Sequence, residues 1–200
     1  MFALVEDGSI TKYFSGNRGF TLNGNQYSKQ VFTLWTKSER EAIGIYEVVW
    51  DTTNKKDETW YINTDPSYAF ANGKVTASYG SATAKAHADT LFTADDEDNG
   101  LGTEGEVKVE GLKTIKIRAV KKQAAGILKD TDWYVVRKAD AGTAVPSAIT
   151  THRAAVRTKA AEMETAITNA SNTAAIEALY TYNNDNPPTR PLGELPTLED

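Results

Sequence analysis

Ile149-Thr150-Thr151-His152-Arg153-Ala154-Ala155-Val156-Arg157-Thr158-Lys159-Ala160, continued through Met163 and Ile167, decides how the chain reads. Ile149, His152, Val156, Ala160, Met163 and Ile167 recur at spacings of three, four, four, three and four. That rhythm predicts a long helix that buries one stripe. Gly142 and Pro146 announce it, and Ser147 stands near its start. Upstream, Leu112, Ile115, Ala119 and Gln123, with Val120, Ala124, Ile127 and Leu128 beside them, follow the same period and predict a second helix. Downstream, Asn172 or Thr173 can cap a last short helix through Tyr180. Trp133 to Val136 interrupts this pattern as a β-prone stretch. Thirteen of the forty residues from Ala139 to Ala178 are alanine, so this half carries little apolar bulk and is expected to lean on another surface.

Before Gly111 the period changes. Phe2–Val5 and Ile10–Phe14 flank Asp7-Gly8, a hairpin signal, and Phe20–Leu22 and Gln26–Val31 flank Asn23-Gly24. Thr36 or Ser38 can cap a short helix that Gly44 ends before the β-branched run Ile45–Trp50. Glu58–Ile62 and Lys74–Tyr79 alternate as strands, and Ala82–Phe92 reads as a short alanine-rich helix. Trp35, Trp50 and Trp60 fall in or beside strands and read as core. The expectation is an α+β chain: a β-rich half of short antiparallel strands over 1–94, an acidic glycine-rich linker over 95–111, a helical region over 112–182 and an extended proline-rich tail over 183–200.

Composition excludes several chemistries. There is no cysteine, so disulfides, thiolate metal sites and a cysteine nucleophile are out, and no apolar run approaches a membrane span. An acid within the first six residues argues against a secretory signal, and the chain reads as soluble and intracellular. Charge is uneven. Seven acids stand against Lys108 alone between Asp95 and Glu110, whereas eleven basic residues face three acids between Lys113 and Lys159. No aromatic is interleaved among Lys113, Lys116, Arg118, Lys121 and Lys122, so a solvated helix face is expected there and no nucleic-acid surface.

Motifs for catalysis are sparse. Gly100-Leu101-Gly102-Thr103-Glu104-Gly105 spells a dinucleotide fingerprint, but no strand precedes it and acids surround it. Asp95, Glu97, Asn99, Gly100 and Glu106 match positions 1, 3, 5, 6 and 12 of a calcium loop, yet Gly102 replaces the usual apolar residue and the exit is β-branched. We expect no metal and no cofactor. No nucleophile elbow or Walker loop occurs, and His87, His152 and the scattered acids form no recognisable constellation, so no catalytic residue is assigned.

Leu128-Lys129-Asp130-Thr131-Asp132-Trp133, then Pro146, then His152-Arg153-Ala154-Ala155-Val156-Arg157 resembles the signature of bacteriophage tail-fibre assembly proteins, also called tail assembly chaperones. In that family a helix ends in leucine, a Ser/Thr-Asp-Trp turn follows, and a second helix carries an aromatic-Arg-x-x-Leu-Arg-like element; His152 here stands at the aromatic position. Met1 to Ile10 is similar to the start of many such proteins, and Trp35 to Val48 looks like another recurring piece. The resemblance implies a small protein that binds a phage tail fibre and helps it fold, trimerise or attach, in the host cytoplasm or retained on the virion. The alternative is a permanent structural subunit of the tail, neck or fibre tip. Partners are then a fibre or another virion protein, or a second copy of the chain, with no nucleic acid and no membrane.

Within that reading, Trp133 is expected to pin the turn between two long helices as a core aromatic, with Asp132 capping amides nearby, and Trp133 and Tyr134 are candidate partner contacts. Four of the six prolines lie in the tail, which is therefore expected to run near polyproline II. That conformation would align Leu192, Leu195 and Leu198 on one edge, the remaining candidate contacts, for docking on the chain itself, a second copy or the fibre.

Overall fold

The computed structural model describes residues 1–198, in two units, one of Met1–Thr83 and one beginning at Ala84. The chain is α+β, with strands in the first unit and helices in the second.

Three tight turns set the register of the first unit. Asp7-Gly8 joins β1 (Phe2–Glu6) to β2 (Ser9–Phe14), and Asn23-Gly24 joins β3 (Phe20–Leu22) to β4 (Asn25–Tyr27). All four turn residues have positive φ, between 50° and 79°, as a two-residue hairpin turn requires. The second hairpin is shorter than expected because Ser28 caps a 3-10 turn, Lys29–Phe32, which drives Val31 and Phe32 inward. Thr36 and Glu39 exchange capping-box bonds at the start of α1 (Lys37–Ala42). Gly44, at φ 78°, then reverses the chain where an added Cβ would lie 2.7 Å from the Val5 carbonyl oxygen.

β5 (Ile45–Asp51) follows. The expected strand Glu58–Ile62 shrinks to β6 (Tyr61–Ile62), because the Asp57 side chain accepts from the Thr59 amide and its carbonyl from those of Trp60 and Tyr61, closing a turn. β7 (Ser67–Ala71) and β8 (Lys74–Ser78) form a hairpin across Asn72-Gly73, and the short β9 (Thr83–Ala84) falls where the first unit gives way to the second. The main sheet has the order β2-β1-β5-β8-β7 and is not antiparallel throughout as expected: β5 and β8 are parallel, because the β7–β8 hairpin joins the sheet through its second strand. Successive residues face opposite ways, so Ala3, Val48, Val75 and Ala77 build one apolar cluster and Leu4, Phe32 and Ile45 another. Tyr13 and Tyr68 rings lie 4.9 Å apart, which brings the outermost strands β2 and β7 together. Of the tryptophans expected in the core, Trp60 is buried, Trp35 is half-buried, and Trp50 is exposed at the end of β5.

The second unit corrects two expectations. Ala82–Phe92 is not helical. It runs extended because its carbonyls are needed elsewhere: Ala86 and His87 accept from the amides of Leu112 and Lys113. Asp89 Oδ1 accepts from the Gly111 amide at 2.6 Å and Oδ2 from the Thr114 hydroxyl at 2.7 Å. These groups satisfy the first donors of α3 (Leu112–Lys129), whose N-cap, Gly111, has no side chain to do so. The Gly111 amide and then the Thr114 hydroxyl hold the Asp89 carboxyl below the usual carboxylate range. Nor is 95–111 a bare linker. β10 (Thr90–Leu91) pairs with β11 (Val107–Val109), and α2 (Ala94–Asp98) lies between them with a Thr93–Asp96 capping box.

α3 packs against α5 (Ser147–Asn169), and α6 (Thr173–Tyr180), capped by Asn172, adds a third wall. The whole anticipated stripe of α5, from Ile149 to Ile167, is buried, His152 included. Val120, Ala124, Val156, Ala160, Met163, Ile167 and Leu192 form one core, with Leu195 packed against it. Leu192 therefore supplies bulk that the alanine-rich helices lack. The tail is not evenly extended: Asn183 closes a loop with Thr189, and Gly193, at φ 71°, turns the chain back after Arg190. Glu199 and Asp200 of the expected tail lie outside the described residues.

Two measurements check these contacts. Leu192→Ala should cost about 2–5 kcal/mol in urea unfolding, whereas Leu198→Ala should change stability by less than about 0.5 kcal/mol. Because the Asp89 carboxyl is depressed in the folded state, its contribution is complete above the unfolded carboxylate pKa and is lost as pH falls through the lower folded value. Asp89→Asn should therefore weaken the second unit at neutral pH and flatten its acid-unfolding profile below about pH 4.

Candidate partner-binding site

The site begins at a corner. α3 ends at Lys129, and α4 (Asp132–Ala141) starts three residues later, so the Leu128 carbonyl takes the Thr131 amide of the closing turn and keeps room for further donors. Arg153, one residue past the buried stripe position of His152, fills this corner. Its Nη1 donates to the Leu128 carbonyl at 2.7 Å and to Thr131 Oγ1 at 2.6 Å, and its Nη2 donates to Asp132 Oδ1 at 2.8 Å. Thr131 Oγ1 itself donates to the Leu128 carbonyl. The guanidinium is buried, and it meets the negative end of α3 and the acid at the start of α4 together. Asp132 thus pairs with Arg153 rather than capping amides.

Trp133 to Val136 is helix, not strand; the Asp132 start and the Gly142 stop, at φ 68° with its amide on the Lys138 carbonyl, override local β preference. Fixed at its first residue, α4 buries none of its side chains. Trp133 is 50% exposed and Val136 64%, so Trp133 is no core aromatic. The Trp133 and Tyr134 rings lie 3.8 Å apart, and the Arg137 guanidinium covers both, at 4.7 and 5.5 Å from their centroids. Arg137 Nε is buried against them with no hydrogen-bond partner. The result is a rigid aromatic and aliphatic face with a cation held on it, which can take up another apolar surface with small entropic cost.

The five candidate contacts do not converge. Trp133 and Tyr134 share α4. Leu192 (2% exposed) and Leu195 belong to the core of α3 and α5, and Leu192 donates its amide to the Leu179 carbonyl; only Leu198, 45% exposed, faces out. The leucine edge is thus split between core and surface after Leu195. Sequence reasoning missed Val136 as part of the exposed face, and Arg153 as its anchor. The only available signal was the adjacency of Arg153 to a stripe position.

The other motif-bearing side chains are engaged locally. In the candidate calcium loop, Asp95 and Asp96 lie in α2, Asp96 takes bonds from Thr93 and Lys108, and Glu97 accepts from the Glu104 amide. The Lys108 ammonium, then the Thr93 amide, hold the Asp96 carboxyl below the usual range. Among the described residues no three histidine or acid side chains converge as a metal-binding set, and no helix is long and apolar enough to cross a membrane. No protein-family model matches the chain, and neither a curated protein nor a solved structure shows significant similarity to it.

Arg153→Ala should lower stability by about 1–3 kcal/mol, since it removes three hydrogen bonds from the corner and the ion-pair partner of Asp132, and Arg153→Lys should not restore it because one ammonium lacks the planar fork that reaches three acceptors. Trp133→Ala should cost less than about 1 kcal/mol by the same urea titration.

Proposed function

We propose that this chain is an assembly accessory of the phage tail-fibre kind, which binds a fibre through the outer face of α4 and assists its folding, trimerisation or attachment. The observation that carries the reading is a helix with no buried residue that exposes Trp133 and Val136, with Tyr134 half-buried beside them. Two further points support it. The two sequence pieces that resemble the tail-assembly signature meet in space, where Arg153 of one clasps Leu128, Thr131 and Asp132 of the other. Their joint action is to tie the start of α4 to α5, while the rest of the helix packs no buried residue.

The physical task is simple. β-rich fibres pair over long sequence separations and expose edges and apolar strips while they fold, so they fold slowly and aggregate. A rigid apolar face that covers such a strip raises the folded yield with neither a nucleotide nor a cofactor. The work takes place in the host cytoplasm, and the protein either leaves or stays with the fibre.

Coexpression with a trimeric tail fibre from the same genome tests this. Soluble trimer should rise with the wild-type chain and fall back with Trp133→Ser combined with Val136→Ser, while the unfolding midpoint of the variant stays unchanged. Equal fibre yield without the chain would overturn the reading. Mass spectrometry of purified particles separates its two forms: a fixed copy number would identify a permanent virion subunit.

A further inference from the structure

α4 stands off α5 and leaves a cleft of about 320 Å³ between them, distinct from the aromatic face. Val135 and Val145 give it aliphatic walls, and Lys138, Arg153 and Arg157 give it charge. Arg153 is already balanced by Asp132. Lys138 and Arg157 are not: among the described residues neither has an ion-pair partner, and Arg157 makes only a 3.5 Å bond to the Arg153 carbonyl. A cleft with aliphatic walls and two uncompensated cations fits one branched aliphatic side chain flanked by carboxylates.

The chain carries such a group. Leu101 is 61% exposed, and Asp98 and Glu104, each three residues away, are exposed with no ion pair among the described residues. The lobe is built to hold Leu101 outward. Gly100, at φ 69°, ends α2, and the Leu101 amide is bonded to the Asp96 carbonyl at 2.9 Å. The Glu104 amide is tied to Glu97 Oε2, and Gly102 lies so close to the Phe92 ring that a Cβ would be 2.5 Å from it. Little conformational entropy remains to be lost on docking.

We propose that the cleft between α4 and α5 receives the Leu101 lobe of a second copy of this chain, with Asp98 and Glu104 facing Lys138 and Arg157. Each copy then offers one lobe and one cleft, a head-to-tail contact that propagates into a ring or an open chain. One leucine and two charge pairs make a small interface, so the association is weak and salt-sensitive. It uses neither Trp133 nor Val136, and its test needs no fibre, so it stands or falls apart from the function proposed above.

Sedimentation equilibrium of the full chain provides the test. In about 50 mM salt the average mass of the wild type should rise with concentration up to about 300 µM, and association should weaken about tenfold or more in about 500 mM salt. Lys138→Glu with Arg157→Glu makes cleft and lobe both acidic; Asp98→Lys with Glu104→Lys makes both basic. Each variant alone should stay monomeric, and an equimolar mixture of the two should associate again. Leu101→Ser should weaken association with no change in charge. All five positions lie at the surface or rim, and circular dichroism verifies the fold of each variant. A monomeric wild type at the highest concentration would overturn the proposal, as would association that survives either charge reversal or a mixture that fails to re-associate.

Discussion

The second unit hangs on the start of α3. A helix leaves its first amides without internal partners, and here the N-cap is a glycine that offers none. The chain solves this by laying residues 86–89 across the helix end so closely that a Cβ on Gly111 would lie 2.3 Å from the Ala88 carbonyl group. Only glycine permits that approach. The same segment also reaches α6, where the Thr173 hydroxyl donates to the Lys85 carbonyl. One extended strip thus anchors two helix starts, and the face of α3 that meets α5 is set by it.

From that anchor the rest follows by volume and charge. The α3–α5 contact is rich in alanine and leaves room, which Leu192 and Leu195 fill from the returning tail. At the far end of α3 the problem is reversed, with carbonyls in place of amides left over, and Arg153 answers it from α5. Because that arginine also takes Asp132, the junction between α3 and α4 is rigid although α4 buries nothing. A helix of this kind survives through its ends and through the Arg137 cover on its own rings, which leaves its outer face free for a partner.

The two charged regions noted in the sequence have separate fates. Of the basic residues, Arg118, Lys121, Arg153 and Lys159 find acids within the unit, whereas Lys138 and Arg157 remain at the cleft without one among the described residues. The acidic stretch is likewise divided: Asp96 is spent on a capping box and Lys108, while Asp98 and Glu104 stand around Leu101. Composition registers only the imbalance, and folding decides which charges remain unanswered.

Local signals determined a large part of this protein by themselves. The Asp-Gly and Asn-Gly turns, the caps at Thr36 and Asn172, the stop at Gly44 and the buried stripe from Ile149 to Ile167 each depend on residues a few positions apart, so period and turn chemistry suffice to read them. Tertiary structure decided the remainder. Ala82–Phe92 has a helical composition but is extended because α3 needs its carbonyls; Trp133 has a core side chain but lies exposed because Arg153 ties α4 to α5 through its first residue, Asp132, and the helix packs no buried residue; Leu192 and Leu198 share a spacing but not an environment because Leu192, with Leu195, packs on the core of α3 and α5 and Leu198 does not. In each case the deciding partner lies about twenty or more residues away, and no local pattern encodes it.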